Sequence, residues 1–216
     1  MTEASLTRQQ AILESFTELV QAPYGDFAGI GKLSYHLNDA ATLQQVLASL
    51  NQIPQCQQAL HDRPMLGPID LPVLHQLAPG TLGFAYADHM IQQGLKVMSP
   101  NQTAPDPISF LGLHISETHD IWHVVTGCNT DKPGEVQLEA FYVAQLSPDR
   151  LFLALLAKNL LKTAMDEIYL CDQIMDALSR GWRMGKQAKP LFGIRWNTLW
   201  ETPLQEIRNS LEITLD

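Results

Sequence analysis

One short segment in the middle of the chain restricts most strongly how it can fold. His119 and His123 stand four residues apart, so on a helix their side chains leave one face and can reach a single metal ion. Asp120 adds a carboxylate, and Glu135 follows a turn-rich stretch, residues 127–134, that can fold the chain back. We therefore predict a divalent metal site formed by His119, Asp120, His123 and Glu135.

The residue types at this site favour zinc as the ion. Iron(II), manganese and magnesium also bind imidazoles and carboxylates, so they remain alternatives. A histidine pair at this spacing is also common without any metal, as a solvated or hydrogen-bonded pair. The neighbours Ile121, Trp122 and Val124 favour a metal, because polar groups on a largely apolar helix cost free energy unless they have partners.

The sequence predicts an all-α fold, with the metal site between the helix of the two histidines and the helix of Glu135. No useful β-alternating run appears, and 216 residues with 45% hydrophobic content fit a single helical domain over residues 1–216. Asp106-Pro107 should begin the histidine helix and Gly127 should end it. The glycine-containing residues 23–37 are predicted as a loop. We predict helices over 5–20, 39–50, 54–60, 82–93, 107–126, 135–144, 148–161, 166–186 and from 203 onward.

Charge and cysteine content restrict the partners and the compartment. The formal net charge of -9 leaves no basic stripe to neutralise phosphates, so nucleic acid is not expected as a partner. Three widely spaced cysteines, Cys56, Cys128 and Cys171, fit reduced thiols in a cytosol. The N-terminus is acidic, unlike an arginine-rich transit peptide. We expect a cytoplasmic protein.

Membrane contact is expected to be peripheral. The longest apolar run, residues 151–157, is far shorter than the roughly 20 residues that span a bilayer. The apolar helix over residues 148–161 and the basic turn of Arg180, Arg183 and Lys186 can meet the inner face of a membrane. The same basic turn also suits a helix C-terminus without any lipid.

The pattern H-D-x2-H-x11-E resembles the signature of the coenzyme Q biosynthesis protein 4 family. P-G-T-L-G-F-A-Y at residues 79–86 is similar to that family's P-G-T-L-G-x-x-Y block, and residues 189–204 are similar to its C-terminal tryptophan block. The resemblance covers the chain from about Arg63 onward. Many members carry Arg-Tyr-Arg-Glu just before the histidine-aspartate pair, where this chain has L-H-I-S-E at residues 113–117.

The resemblance implies a metal-dependent enzyme of ubiquinone biosynthesis. Its substrate would be a polyprenylated aromatic ring, whose carboxylate is replaced by a hydroxyl through oxidative decarboxylation. Either Asp120 or Glu135 can act as base instead of ligand, so no catalytic residue is assigned. The alternative is a lipid-binding scaffold that organises other quinone-biosynthesis proteins around a structural metal. A homodimer is an open alternative to a monomer.

Small residues mark where a prenyl chain can lie. Gly83, Ala87, Ala140 and Ala144 keep helix faces shallow, and the resemblance favours an apolar tunnel there that holds a polyprenyl tail and ends near the metal. Close helix packing is the alternative use of the same four residues.

Two further histidine patterns compete with this interpretation. Adjacent His119 and Asp120 suggest a histidine-aspartate phosphohydrolase. Those enzymes need another upstream histidine and a distant downstream aspartate as ligands, and their pair is not followed by residues such as His123 and Glu135 at this spacing. Asp88-His89 is a second acid-histidine pair, which we interpret as a surface pair; the alternative is a contact beside the metal or with substrate.

Overall fold

A computed structural model describes residues 3–23, 26–98 and 103–215. These residues form eleven α-helices and no β-strand, which confirms the predicted all-α fold. In chain order the helices are α1 (Glu3–Gln21), α2 (Phe27–Leu37), α3 (Ala40–Leu50), α4 (Pro54–Asp62), α5 (Leu71–Leu74), α6 (Leu82–Gln92), α7 (Pro107–Thr126), α8 (Lys132–Gln145), α9 (Arg150–Asp166), α10 (Cys171–Gln187) and α11 (Leu204–Ser210).

Helix α7, which carries both predicted histidine ligands, has well-defined ends. The Asp106 carboxylate accepts the backbone N–H groups of Ile108 and Ser109, and the Ser109 hydroxyl accepts the backbone N–H of Asp106, which completes a capping box. Pro107 occupies the first turn, where its missing N–H costs nothing. Gly127 ends the helix with a φ of 70°, a conformation that suits glycine.

The main hydrophobic core surrounds α7. This helix packs against α3, α4, α6, α8 and α11. Its Trp122 is fully buried and lies 4.5 Å from the Tyr142 ring of α8, measured between ring centroids, in a stacked arrangement. Burying such side chains stabilises the fold by about 25 cal/mol for each Å² of apolar surface removed from water. The core therefore fixes α7 and α8 relative to each other.

Helices α8 and α10 approach each other closely through glycine. A Cβ atom at Gly181 would overlap the backbone carbonyl oxygen of Gln137, and one at Gly185 would lie 2.7 Å from the Cβ of Ala144. Both glycines are buried. The absence of side chains at these two positions therefore allows α10 to cover the outer face of α8.

Residues 23–37 contain a helix where the sequence suggests a loop, so this prediction was wrong. Asp26 caps α2 by accepting the backbone N–H of Gly29. Gly29 also makes room for α1, since a Cβ there would lie 2.9 Å from Leu19. Tertiary packing thus outweighs the low intrinsic helix propensity of glycine.

Other helix boundaries also differ from the prediction. Helix α8 begins at Lys132 rather than at residue 135, and α9 ends at Asp166 rather than at residue 161. Helix α9 begins at Arg150, because Asp149 rather than Ser147 caps it. A short 3-10 turn, Ile168–Leu170, precedes α10 where one continuous helix was expected. Pro203 precedes α11, which begins without a side-chain cap hydrogen bond. Within the described ranges, no helix combines the length and the apolar character needed to cross a membrane.

Candidate metal centre

Three of the four predicted ligands come together between α7 and α8. One ligand atom from each of His119, His123 and Glu135 lies within 4.8 Å of the other two. The Nε2 atoms of the two histidines are 3.2 Å apart, and the His123 Nε2 lies 3.4 Å from Glu135 Oε1. Ligand atoms bound to one zinc ion at about 2.0–2.2 Å lie roughly 3–4 Å from one another. The observed separations fit a single ion.

His123 is oriented by the turn that follows α7. Its Nδ1 lies 2.9 Å from the backbone carbonyl oxygen of Cys128, which can only accept a hydrogen bond, so Nδ1 carries the proton and donates it. Nε2 therefore presents a lone pair to His119 and Glu135 whenever the ring is neutral. Gly127 enables this contact, because its left-handed conformation turns the chain back toward the ring.

His119 is held by an aromatic stack beneath it. Its Nδ1 lies 3.3 Å from the Tyr142 hydroxyl, and its ring stacks on Tyr142 at 6.0 Å between centroids. Tyr142 is fully buried between Trp122 and the Phe152 ring, whose centroid lies 4.2 Å away. A hydrogen bond at Nδ1 that orients the ring and leaves Nε2 for the ion is usual for metal-binding histidines.

Glu135 reaches the histidines from the first turn of α8. The Asp131 carboxylate caps this helix by accepting the backbone N–H of Gly134, which fixes where α8 begins. Gly134 is required here, since a Cβ atom would overlap the backbone of Asn129. The predicted turn between α7 and α8 therefore forms, and it directs Glu135 toward His123.

The electrostatics of these three residues favour a shared cation. Burial and the charge of His123 lower the pKa of His119 to about 4. Burial opposes a charge on His123, but the hydrogen bond and charge of Glu135 outweigh it and raise the His123 pKa. Burial likewise opposes the Glu135 carboxylate, yet His123 lowers its pKa overall. The group thus holds positive charge next to a carboxylate, and a divalent ion can take the place of that proton.

Asp120 lies outside the group of three ligand atoms. On a helix it follows His119 by about 100° of rotation, so it leaves a different face from that of the two histidines. Burial raises its pKa, although the charges of His123 and His89 act in the opposite direction. The structure therefore brings together two imidazoles and one carboxylate rather than the predicted two and two.

His89, on α6, lies against this centre, which agrees with the alternative interpretation of the Asp88-His89 pair rather than with the preferred one of a surface pair. Its ring stacks on that of His123 at 6.0 Å between centroids, with the planes 22° apart. Its Nε2 atom is buried and has no hydrogen-bond partner among the described residues, which costs roughly 1–3 kcal/mol for such a group. Burial, followed by the charge of His123, lowers the His89 pKa. Only Asp88 of this pair behaves as expected, accepting hydrogen bonds from His75 and Gln92.

A buried polar cluster on α8 and α9 lies beyond Glu135. Asn159 donates to Glu139 at 2.8 Å, and Lys158 is buried beside them. Burial raises the pKa of Glu139 to about 8, although Lys158 and Asn159 act in the opposite direction. The four-residue spacing of Glu135 and Glu139 is the sequence signal that predicts a shared helix face.

The four small residues predicted to bind a tail lie in packed regions. Gly83 donates its backbone N–H to the Trp200 carbonyl at 2.8 Å, which holds α6 against the C-terminal segment. Ala87 and Ala140 are buried in different hydrophobic clusters, and Ala144 faces Gly185 of α10. In this structure, close packing accounts for Gly83 and Ala144.

A comparison of the sequence with protein families identifies the chain. The family model described as "Coenzyme Q (ubiquinone) biosynthesis protein Coq4" matches residues 5–216. The chain belongs to the Coq4 family. This confirms the resemblance found in the metal motif and its flanking blocks, and the description of the family names ubiquinone biosynthesis.

Individual Coq4 relatives are distant in sequence. The chain is 27% identical to the mitochondrial ubiquinone biosynthesis protein COQ4 of Phaeosphaeria nodorum over 95% of its own length and 66% of that protein. It is 28% identical to the mitochondrial COQ4 homologue of Drosophila sechellia over 80% of its own length and 65% of that protein. The chain thus spans just under two thirds of the length of these curated relatives.

A solved structure supports the fold. The crystal structure of a Nostoc punctiforme protein named for ubiquinone biosynthesis superposes with a TM-score of 0.84 at 27% sequence identity. The match covers 96% of this chain and 99% of that one. The arrangement of helices that brings α7 and α8 together is therefore similar to that of an experimentally determined structure.

Proposed function

We propose that this Coq4-family chain catalyses a metal-dependent step of ubiquinone biosynthesis on a polyprenylated aromatic ring. The observation that carries the proposal is the convergence of His119, His123 and Glu135 on one point. Three protein ligands leave at least one coordination position for an exogenous ligand, as catalytic sites do and closed structural sites do not. The sequence alone suggested four ligands and so kept a structural metal as the alternative.

The reaction we propose is oxidative decarboxylation of the ring. The bond between the ring and its carboxylate breaks, carbon dioxide leaves, and a hydroxyl forms at the same ring carbon. This exchange needs one oxygen atom, which we assign to dioxygen. The second oxygen atom of dioxygen leaves as water, with two electrons from an external reductant and two protons from solvent. Two histidines and one carboxylate with open positions are the ligand set of non-haem iron(II) oxygenases, whereas zinc has no redox chemistry. We therefore propose iron(II) as the working ion.

The protein residues contribute binding and orientation. His119, His123 and Glu135 would hold the ion, which supplies positive charge for a carboxylate or phenolate of the substrate. Cys128 and Tyr142 hold the two imidazoles through their Nδ1 atoms, so the ligands are preorganised before any ion binds. Asp120 is then not required as a ligand.

The tail of the substrate needs an apolar environment. Tyr142 stacks on His119, and Trp122 and Phe152 in turn stack on Tyr142. Each Å² of a polyprenyl tail removed from water contributes about 25 cal/mol. We propose that the tail lies between helices next to this stack and that the ring lies at the ion.

Turnover of a labelled substrate tests the proposed reaction. The iron(II)-loaded protein is incubated under ¹⁸O₂, with ascorbate as the two-electron reductant, and with a prenylated hydroxybenzoate labelled with ¹³C in its carboxylate. We expect ¹³C-labelled carbon dioxide and a product that carries one ¹⁸O atom on the ring. His123→Ala, matched by His61→Ala at an exposed position, should abolish both signals. Equal turnover by both variants, or no turnover by wild type with any of the four candidate ions, would contradict the proposal.

A lipid-binding scaffold is the second candidate, and one observation favours it. Large apolar side chains remain exposed on α9, on the 3-10 turn that follows it and on α10; they are Leu161, Met165, Ile168, Tyr169, Met175 and Trp182. Trp182 lies under the cationic Lys186, and tryptophan with nearby cations is typical of membrane interfaces. We propose that this α9–α10 surface contacts a membrane. Catalysis and membrane contact are compatible, because the metal centre lies between α7 and α8.

A further inference from the structure

We propose that His89 contacts the exogenous ligand that occupies the open position of the metal centre. The inference rests on the metal site of the proposed function, but not on the reaction proposed for it. His89 belongs to α6, whereas the three ligand residues belong to α7 and α8. His89 would therefore add a hydrogen-bonding group from a third helix to the metal centre.

The first argument is the hydrogen-bond state of the histidines around the centre. His123 contacts Cys128 and His119 through its two ring nitrogens, and His119 contacts Tyr142 and His123. His114, elsewhere on α7, also has a partner at each nitrogen. Among the described residues, His89 Nε2 is the one histidine nitrogen that is buried without a partner. Such an atom gains free energy from any ligand that pairs with it.

The second argument is position. The His89 ring faces the His123 ring nearly in parallel at 6.0 Å between centroids. His89 is not part of the group whose ligand atoms all lie within 4.8 Å of one another, so it does not coordinate the same ion in the present arrangement. A small ligand on the ion bridges such a gap, because an ion–ligand bond of about 2 Å and a hydrogen bond of about 2.9 Å add in sequence.

The third argument is chemistry. A neutral imidazole offers either an N–H donor or a lone pair at Nε2, depending on the tautomer. An anionic ligand selects the donor form, since its oxygen or nitrogen atoms accept hydrogen bonds. His89 therefore favours small anions and carboxylate- or phenolate-bearing molecules at the open position. No alternative partner for Nε2 is present among the described side chains.

Cobalt(II) loading followed by azide titration measures binding of the ion separately from binding of an exogenous ligand to that ion. Co²⁺ binding is measured from its visible absorption, and azide binding from the change in that spectrum. His89→Phe keeps an aromatic ring and removes the nitrogen, while His89→Gln restores a hydrogen-bond donor. His61→Phe makes the same substitution at a histidine that is 84% exposed, and serves as the matched control.

We expect all four proteins to bind Co²⁺ with affinities within about twofold. His89→Phe should weaken azide binding at least fivefold, His89→Gln should recover part of the loss, and His61→Phe should equal wild type. Azide affinity unchanged in His89→Phe would overturn the inference. A tenfold loss of Co²⁺ affinity would overturn it in favour of direct coordination. Wild type that takes up no Co²⁺ would overturn the metal site itself. Circular dichroism of each variant verifies folding, and the glutamine variant carries the test if the phenylalanine variant fails to fold.

Discussion

The Nε2 atoms of His119 and His123 face each other at 3.2 Å on successive turns of α7. Two unprotonated imidazole nitrogens repel at this distance, so one of them must hold a proton or both must share a cation. Glu135 lies beside His123 and stabilises either a protonated His123 imidazolium or a bound ion. The arrangement therefore predicts competition between a proton and a divalent ion for the same place.

The competition predicts how metal affinity depends on pH. Glu135 raises the pKa of His123 above its ordinary value, and the ion must displace that proton. His119, with a pKa of about 4, does not compete near neutral pH. The apparent dissociation constant for Co²⁺ should be flat above the His123 pKa and should rise by about tenfold per pH unit below it. Affinities measured from pH 8.5 to 5.5 check this, and a constant affinity across that range would be inconsistent with His123 as a ligand.

The close approach of α8 and α10 predicts an unusually sensitive glycine. Gly181→Ala should lower the free energy of unfolding by about 2 kcal/mol or more, because the new methyl group meets the rigid backbone carbonyl of Gln137. Gly112→Ala on α7 is the matched control. A Cβ there meets nothing within 4 Å, so alanine should stabilise the helix by about 0.5–1 kcal/mol. Urea unfolding measures both changes, and equal effects would disprove the packing argument.

The helices that hold the site could be predicted largely because their ends carry local signals. Asp106-Pro107 and Gly127 define α7 to within a residue, and the turn before Glu135 follows from its glycine and proline content. Residues 26–37 could not be predicted in the same way. Gly29 lowers helix propensity locally, and only the packing of α2 on α1, which is not local, explains why a helix forms there.

The candidate site could be predicted in part. The four-residue spacing places His119 and His123 on one face, and the structure agrees. The same helical geometry argues against Asp120 sharing that face, since neighbours on a helix are about 100° apart. A contact of His89 with the metal site was only the second interpretation of its sequence pair, because the sequence does not state which residue of α6 will face α7. The stacking of its ring on that of His123, not the neighbouring Asp88, places it at the site.

If a prenyl tail binds along α6, enlarging the small residue Ala87 should reduce binding of a prenylated ligand without reducing metal content. Ala87 on α6 is fully buried, so Ala87→Trp should fill any space that a tail uses and reduce retention of a prenylated hydroxybenzoate at least tenfold. Metal content should stay within 20% of wild type, as a check on folding. Ala157→Trp, at an exposed position of α9, is the control. Lipid retention, quantified by mass spectrometry, should be lower only in the first variant; equal retention would count against a tail site along α6.

Contact with a membrane through the α9–α10 surface predicts that one variant loses binding to vesicles and that a matched variant elsewhere keeps it. Trp182→Asp places a charge on the α9–α10 surface and should reduce co-sedimentation with phospholipid vesicles at least threefold. Tyr35→Asp, at an aromatic side chain exposed on α2, should have no effect. Carbonate or high salt should release the wild type from the vesicles. Release by detergent alone, or equal loss in both variants, would refute peripheral contact through this surface.

The content of bound metal tests the central claim most directly. Wild type, purified without chelator and loaded with a divalent ion, should contain one ion per chain by elemental analysis. His123→Ala removes the ligand that contacts both His119 and Glu135, and should contain less than 0.1 ion per chain while circular dichroism shows the helices intact. His61→Ala should retain the full content. Full metal content in His123→Ala, or none in wild type, would contradict a metal centre between α7 and α8.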